Sequence, residues 1–312
     1  MKLHPLTRRT LVCSLPCALG AVSLSWAQDG AATQAPSRLR VGESEIEVTF
    51  GEGSFDLGRD ELLHWVNESA SAVARYFGRF PVPKARLLIN SREGRQGVSG
   101  GRTWGNRGAH TRISVGQHTT VAGLRRDWVL THEFVHYGFP DMPERNHWIE
   151  EGMATYVEPI ARVGAGTLDA ATAWSEMVRD MPQGEPASGD AGLDNTHTWG
   201  RTYWGGAIFC LVADVTIRQN TKNSKGLREA LRAIVAGGGN IEVEWPLERA
   251  LEMGDKAVGG TVLMSLYRQM GPAAVPVDLP ALWKELGVER QGQIAVFDNG
   301  APLAAIRRAI LS

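Results

Sequence analysis

The sequence has little cysteine, no excess of charge of either sign and, beyond its N-terminal region, no hydrophobic run long enough to cross a membrane. Only 3 of its 312 residues are cysteine, which is too few for a disulfide framework or a thiolate metal cluster. The 33 Lys and Arg residues nearly balance the 34 Asp and Glu residues, so no basic field favours nucleic-acid binding. A hydrophobic content of 43% with 21% charged residues is typical of a globular protein and excludes a disordered or fibrous chain.

The first 27 residues have the features of an export signal. A basic start leads into the apolar run 11–24, which is followed by small residues at Ser25 and Ala27. The apolar run is too short for a comfortable transmembrane helix, so we expect no stable membrane insertion after cleavage. Two adjacent arginines in the basic start also fit a twin-arginine signal, and Sec and twin-arginine export both stay open. We therefore expect a periplasmic or secreted protein that begins with a flexible tether over residues 28–37.

Removal of this signal would leave a single cysteine. Cys13 and Cys17 lie within it, whereas Cys210 lies in the apolar run 207–212 and is expected to be a buried hydrophobic side chain. A protein with one cysteine has no internal disulfide. Any metal ion would therefore have to be held by nitrogen and oxygen ligands.

After the tether the pattern changes from strands to helices. Alternating apolar residues predict strands within 39–50 and at 85–89, and residues 104–115 resemble a hairpin whose second arm is 110–115. Residues 60–80 have helical spacing. From Thr119 onward helical spacing dominates, and helices are expected over residues 121–138, 146–162, 168–180, 201–219, 225–236, 246–253, 261–270 and 279–287.

The order of these elements predicts an α+β fold. We expect one domain over residues 38–312, in which a β-rich lobe at 38–118 is followed by a helical lobe at 119–312. Residues 181–198 are rich in Gly, Pro, Asp and Ser, and they predict a long loop within the helical lobe.

The most informative segment runs from His132 to His136 and reads His-Glu-Phe-Val-His. Residues four apart on a helix share one face, so both imidazoles can point at one metal ion. Glu133 lies about 100° around the helix, where its carboxylate can reach a water molecule without being a ligand itself. The pattern therefore predicts two ligands and the general base of a zinc hydrolase.

A catalytic zinc site needs a third protein ligand, and several downstream residues could supply it. Asp141 and His147 lie in a predicted turn, and the acidic pair Glu150 and Glu151 begins the next predicted helix. A metzincin would have a histidine six residues after the second histidine of the pair. That position holds Met142, which excludes the metzincin class.

Residues 148–158, Trp-Ile-Glu-Glu-Gly-Met-Ala-Thr-Tyr-Val-Glu, resemble the W-L-N-E-G-F-A-S-Y-x-E segment of gluzincin peptidases, the peptidase-MA-like superfamily that includes aminopeptidase N and glycyl aminopeptidase. This resemblance implies a thermolysin-like catalytic fold that binds Zn²⁺ through His132, His136 and Glu151. It also places Glu158 on an acid that supports the ligands from outside the coordination sphere.

Residues 202–207, Thr-Tyr-Trp-Gly-Gly-Ala, resemble the Y-x-x-G-A helix start of the same family. The resemblance implies that Tyr203 faces the substrate and donates a hydrogen bond to the oxygen that becomes negative during hydrolysis. In gluzincins the edge strand before the metal-binding helix pairs with an extended substrate, and residues 110–115 are expected to have this role.

One family feature is missing from the sequence. Aminopeptidases of this type carry a G-x-M-E-N-like segment whose acid binds the free amine of the substrate. The nearest glycine-rich stretch, residues 98–102, has Arg102 where an acid would be needed, so exopeptidase and endopeptidase action both stay open. His110 near the hairpin and His197 in the long loop are further residues that could face the site.

These observations predict an exported zinc-dependent metallopeptidase that acts on peptide or protein substrates and does not bind nucleic acid. Two alternatives stay open. One is a zinc hydrolase of a non-peptide amide, such as cell-wall material, and the other is a non-catalytic binding module that retains a zinc site.

Overall fold

The computed structural model describes residues 35–312; the predicted export signal and most of the predicted tether lie outside the described residues. The N-terminal lobe contains a five-stranded sheet with the strand order β1-β2-β3-β5-β4. Its strands are β1 (Ser37–Val41), β2 (Ser44–Phe50), β3 (Lys84–Arg92), β4 (Val98–Trp104) and β5 (Ala109–Gly116). The two central pairs, β2 with β3 and β3 with β5, are parallel, and the two outer pairs are antiparallel.

This topology corrects the predicted substrate-pairing strand. Strand β5, which contains residues 110–115, is an interior strand because β3 and β4 pair with its two sides. The edge strand next to the metal-binding helix is β4, which ends at Trp104, whereas the predicted hairpin began its first arm there. Gly100 and Gly101 lower the strand propensity of this segment, and a register shift between Val98 and Gly101 interrupts its pairing.

In the sequence, the first helix lies between β2 and β3, and the other helices follow β5. The helices are α1 (Arg59–Phe77), α2 (Val121–Arg125), α3 (Val129–Val135), α4 (His147–Ala165), α5 (Ala170–Asp180), α6 (Gly206–Asn220), α7 (Leu227–Ala236), α8 (Leu247–Val258), α9 (Val262–Met270), α10 (Leu279–Leu286) and α11 (Ala304–Ile310). The predicted α+β class, with a β-rich N-terminal lobe followed by helices, is confirmed.

The predicted helix over 121–138 is broken into α2, α3 and a 3₁₀ turn at His136–Gly138. Asp127 explains the break, because its carboxylate accepts hydrogen bonds from the backbone N–H groups of Val129 and Leu130 at 3.0 and 3.1 Å. These two donors belong to the first turn of α3, so the side chain begins a new helix there. His132 therefore lies on a short helix with a capped start, and His136 begins the 3₁₀ turn that directly follows it.

Two further elements near the C-terminus were not predicted. Strands β6 (Val288–Gln291) and β7 (Ile294–Phe297) form a hairpin, and α11 follows it. Each strand has only four residues, which is too short for a clear alternation of apolar and polar residues.

The hydrophobic core lies between the inner face of the sheet and the helices packed on it. Ile89 and Ile113 from the sheet, Leu62 from α1 and Phe134 from α3 are all completely buried. Cys210 on α6 is 2% exposed, as predicted, and is the free cysteine of the described residues. Within residues 35–312 no helix combines the length and the apolar character that crossing a membrane requires.

Candidate metal centre

Helices α3 and α4 pack side by side and bring three metal-ligating side chains together. His132 Nε2 lies 3.1 Å from Glu151 Oε2, His136 Nε2 lies 3.6 Å from the same oxygen, and the two imidazole nitrogens are 3.3 Å apart. The three ligand atoms all lie within 4.8 Å of one another, and they form the one such group found among residues 35–312.

This donor set fits zinc. Two imidazole nitrogens and one carboxylate oxygen are a ligand combination of catalytic zinc sites. Tetrahedral coordination with bonds of 2.0–2.1 Å separates neighbouring ligand atoms by about 3.3 Å, close to the three distances in the structure. His132 and Glu151 expose only 5% and 9% of their surfaces, so an ion held there would be largely shielded from solvent.

The protonation of two of these side chains also suits metal binding. Burial lowers the pKa of His136 to about 4, so its imidazole is neutral at physiological pH. Burial by itself would raise the pKa of Glu151, but the neighbouring His136, His132 and His147 side chains lower it well below its usual value. A neutral imidazole and an ionised carboxylate are the forms that bind a metal ion.

The other candidates for the third ligand lie outside this group. Asp141 is exposed and forms an isolated bridge with Glu244. The Glu150 carboxylate accepts a backbone hydrogen bond from Met142 and contacts His147 Nδ1 at 3.2 Å. His147 lies next to the site, because its Nε2 is 3.4 Å from the second oxygen of Glu151, but it does not join the group.

Glu133 lies against the edge strand β4. Thr103 donates a 2.6 Å hydrogen bond from its hydroxyl to Glu133 Oε2. A Cβ atom added at Gly101 would lie only 2.4 Å from Glu133 Cγ, so the absence of a side chain at this position makes room for the acid. Burial raises the pKa of Glu133 to about 7, which suits a group that accepts and returns a proton at neutral pH.

Gly101 and Thr103 were not identified as site residues from the sequence. A glycine inside a strand often marks a place where another group approaches the backbone closely, so Gly101 carried a usable signal. Thr103 carried no signal, because threonine is common in strands.

Tyr203 lies in the π-helical turn Arg201–Gly205 that leads into α6. Its ring stacks on the His132 ring, with 6.2 Å between the ring centroids, and on the Trp199 ring, with 5.6 Å between the centroids. Burial, followed by the charges of Glu151 and Glu133, raises the pKa of Tyr203 above its usual value. The phenol therefore keeps its proton and can donate a hydrogen bond near the ligands.

Two glycines allow the elements that carry Glu151 and Tyr203 to pack closely against each other. A Cβ atom on Gly152 would lie 2.2 Å from the Cα atom of Gly206, and one on Gly206 would lie 2.2 Å from the carbonyl oxygen of Trp148. Helix α4 and the start of α6 are thus in direct backbone contact. Larger residues at either position would separate the third ligand from the tyrosine.

Asp194 in the long loop fixes the start of α4. Its Oδ1 accepts hydrogen bonds from Asn146 Nδ2 and Trp148 Nε1, both at 2.8 Å, and its Oδ2 accepts one from the Tyr267 hydroxyl at 2.9 Å. Asn146 is completely buried and Trp148 is 1% exposed. The loop predicted over residues 181–198 is therefore tied to the helix that carries Glu151.

We expect Asp194→Ala to lower the free energy of unfolding by about 3 kcal/mol, because it leaves three partly buried donors without their acceptor. Chemical denaturation monitored by tryptophan fluorescence measures this change. Asn195→Ala is the matched control, since Asn195 is the exposed neighbour of Asp194. Equal stabilities of the two variants would contradict the anchoring role.

Glu158, which the resemblance places on a supporting acid, lies inside α4 and pairs with Arg162. It is 1% exposed and accepts a 2.9 Å hydrogen bond from Arg162. Burial lowers the pKa of His132, but Glu151, with smaller effects of Glu133 and Glu158, raises it above its usual value. Arg102 and His110 do not face the ligands, because successive residues of a strand point to opposite sides of the sheet and Thr103 points to Glu133. The exposed His197 is not part of the ligand group.

Comparisons with solved structures place this arrangement in a known fold. An aminopeptidase N family protein from Idiomarina loihiensis superposes with a TM-score of 0.62 at 11% identity, over 82% of this chain and 50% of that one. An M1 zinc metallopeptidase from Deinococcus radiodurans gives a TM-score of 0.50 at 14% identity, over 79% of this chain and 52% of that one. A two-domain M1 zinc metallopeptidase bound to L-arginine gives 0.51 at 14% identity, over 78% and 53%.

The likeness is one of fold. No protein-family model matches the sequence, and no curated protein matches it either. The chain spans about half the length of the solved structures that it matches. Over that half, it has the fold of M1 zinc metallopeptidases.

Proposed function

We propose that this chain is a zinc-dependent metallopeptidase that hydrolyses peptide bonds. The observation that carries the proposal is the juxtaposition of His132, His136 and Glu151, with their ligand atoms within 4.8 Å of one another, beside the buried acid Glu133. The M1 fold supports the same reaction class.

In the proposed mechanism, His132, His136 and Glu151 would hold a zinc ion, which would supply Lewis-acid activation of a water molecule and of the carbonyl group of the scissile bond. Glu133 accepts the proton of the attacking water through the carboxylate oxygen that Thr103 leaves free, and it then passes the proton to the leaving amine. Tyr203 donates a hydrogen bond to the carbonyl oxygen as that oxygen becomes negative. A phenol with a raised pKa keeps the proton that this role requires.

The open edge of β4 supports a peptide as the substrate. Among residues 35–312 this strand pairs with β5 alone, and the residues that contact Glu133 lie on it. An extended peptide that adds to this edge would form backbone hydrogen bonds with β4, which would place one of its carbonyl groups beside the metal ligands. We propose this mode of binding for the substrate.

We also propose that the protein is exported. The support is the basic start and apolar run of its first 27 residues, which suit removal by signal peptidase. Sequencing the N-terminus of the protein from the periplasmic or secreted fraction locates the cleavage site, expected after Ala27.

Metal analysis of the purified protein, followed by a mixed peptide library read by mass spectrometry, tests the proposed function. We expect one zinc ion per chain and cleavage that is lost on chelation and restored by zinc. Pairing each library peptide with its N-acetylated form separates exopeptidase from endopeptidase action. Failure to find near-stoichiometric zinc would overturn the proposal, and zinc binding without any peptide cleavage would favour one of the two alternatives.

A further inference from the structure

Three hydroxyl groups form a hydrogen-bonded chain that ends on Glu133. The Tyr137 hydroxyl lies 2.7 Å from Thr111 Oγ1, which lies 2.8 Å from Thr103 Oγ1, which in turn lies 2.6 Å from Glu133 Oε2. Thr103 Oγ1 also lies 3.1 Å from the backbone oxygen of Glu133. Tyr137 and Thr111 are 0% and 2% exposed, so solvent does not compete for the hydrogen bond between them.

When Glu133 is ionised, the number of hydroxyl protons fixes the direction of these hydrogen bonds. Each hydroxyl has a single proton to donate, and a carboxylate only accepts. Because Thr103 donates to Glu133, it can only accept from Thr111, and Thr111 can only accept from Tyr137. The three protons therefore all point toward the carboxylate, and Oε2 is held while Oε1 is left for the reacting water.

The strand geometry explains why β4 supplies this contact. Gly101 and Thr103 are two residues apart, so they face the same side of the sheet, toward α3. Gly101 leaves space for the Glu133 side chain, and Thr103 gives it a hydrogen bond. Thr111 lies directly opposite Thr103 in the register of β5 and β4, which sets the 2.8 Å contact between the two hydroxyls.

We propose that Thr103 is the positioning residue of the general base, and that Thr111 and Tyr137 hold its hydroxyl in the donating direction. The proposal rests on the proposed peptidase function, because it assigns the orientation of Glu133 during hydrolysis. The alternative is a purely structural hydroxyl cluster, in which Thr103 joins β4 to α3 and its loss lowers stability alone.

Thr103→Val keeps the shape of the side chain and removes the hydroxyl, whereas Thr103→Ser keeps the hydroxyl. We expect the valine variant to lower kcat about 100-fold at nearly unchanged KM, since misplacing a reacting group by about 1 Å can have an effect of this size. The serine variant should retain kcat within about threefold of the unmodified protein. Thr111→Val should lower kcat by a smaller factor, because Thr103 can still donate without its support.

A second measurement does not depend on activity. In crystal structures of the zinc-free variants, we expect the Glu133 carboxylate to be displaced in Thr103→Val and unchanged in Thr103→Ser. Thr49→Val is the matched control, because it makes the same change at a half-buried position of β2, away from the proposed substrate-binding strand, and it should change neither readout.

The two measurements separate the possible failures. An inactive unmodified protein with displacement of Glu133 only in the valine variant would overturn the proposed function and retain the positioning role. An active protein in which Thr103→Val changes neither kcat nor the Glu133 position would overturn the positioning role. A loss of kcat that the serine variant does not rescue would also overturn it, because that pattern belongs to a structural defect.

Discussion

Glu133→Gln is expected to abolish peptide hydrolysis while zinc stays bound. Glutamine has the shape of glutamate and its amide oxygen can still accept the hydrogen bond from Thr103, so the side chain should keep its place beside β4. An amide cannot take a proton from water at neutral pH. We therefore expect kcat to fall on the order of a thousandfold, within the range that general acid–base groups contribute.

Zinc content and activity are both measured in this experiment. Because Glu133 is not among the three ligands, atomic absorption should find the same zinc content in the variant and the unmodified protein. Glu144→Gln is the matched control, since it makes the same change of charge at an exposed position before α4. Full activity of Glu133→Gln would show that the proposed mechanism is wrong.

Gly152→Ala is expected to destabilise the protein strongly, because the added methyl group has no room where α4 contacts α6. The added Cβ would lie 2.2 Å from Gly206 Cα and 2.3 Å from its carbonyl carbon, and backbone atoms cannot move aside as a flexible side chain can. We expect a loss of roughly 3 kcal/mol in the free energy of unfolding, the upper range for overpacking a well-packed interior.

The same substitution should also weaken zinc binding, because it moves α4, and with it Glu151, away from α3. Gly164→Ala is the control within the same helix, since its nearest neighbour would be Arg75 Cδ at an ordinary 3.8 Å. Alanine has the higher helix propensity, by about 1 kcal/mol, so the control should be neutral or more stable. A similar gain in stability for Gly152→Ala would contradict the direct contact of α4 and α6.

Part of the metal centre was predictable because helical periodicity converts sequence spacing into a shared face. The four-residue spacing of His132 and His136 was sufficient to predict that they bind one ion, although the helix around them is shorter than expected. Glu151 required the resemblance of residues 148–158 to a known family, since spacing alone left Asp141, His147 and Glu150 as alternatives. The structure brings Glu151 to the two histidines.

The contacts that orient the acid were not predictable, because they depend on tertiary structure. Thr103 reaches Glu133 across 30 residues of chain, and its role follows from the pairing of β4 with β5 and the packing of β4 on α3. The break between α2 and α3 was missed for a local reason. Asp127 satisfies helix N–H groups that periodicity assigns to a continuous helix.

The π-helical turn at Arg201–Gly205 makes the position of Tyr203 depend on residue count as well as residue type. A π turn holds about one residue more than an α turn, and one residue corresponds to about 100° of rotation around a helix. Deleting a single residue there would restore a regular helix and turn the phenol away from His132. The residues of the site would all still be present in the sequence. A one-residue deletion in this turn could therefore remove Tyr203 from the site, and a comparison of the site residues alone would not reveal it.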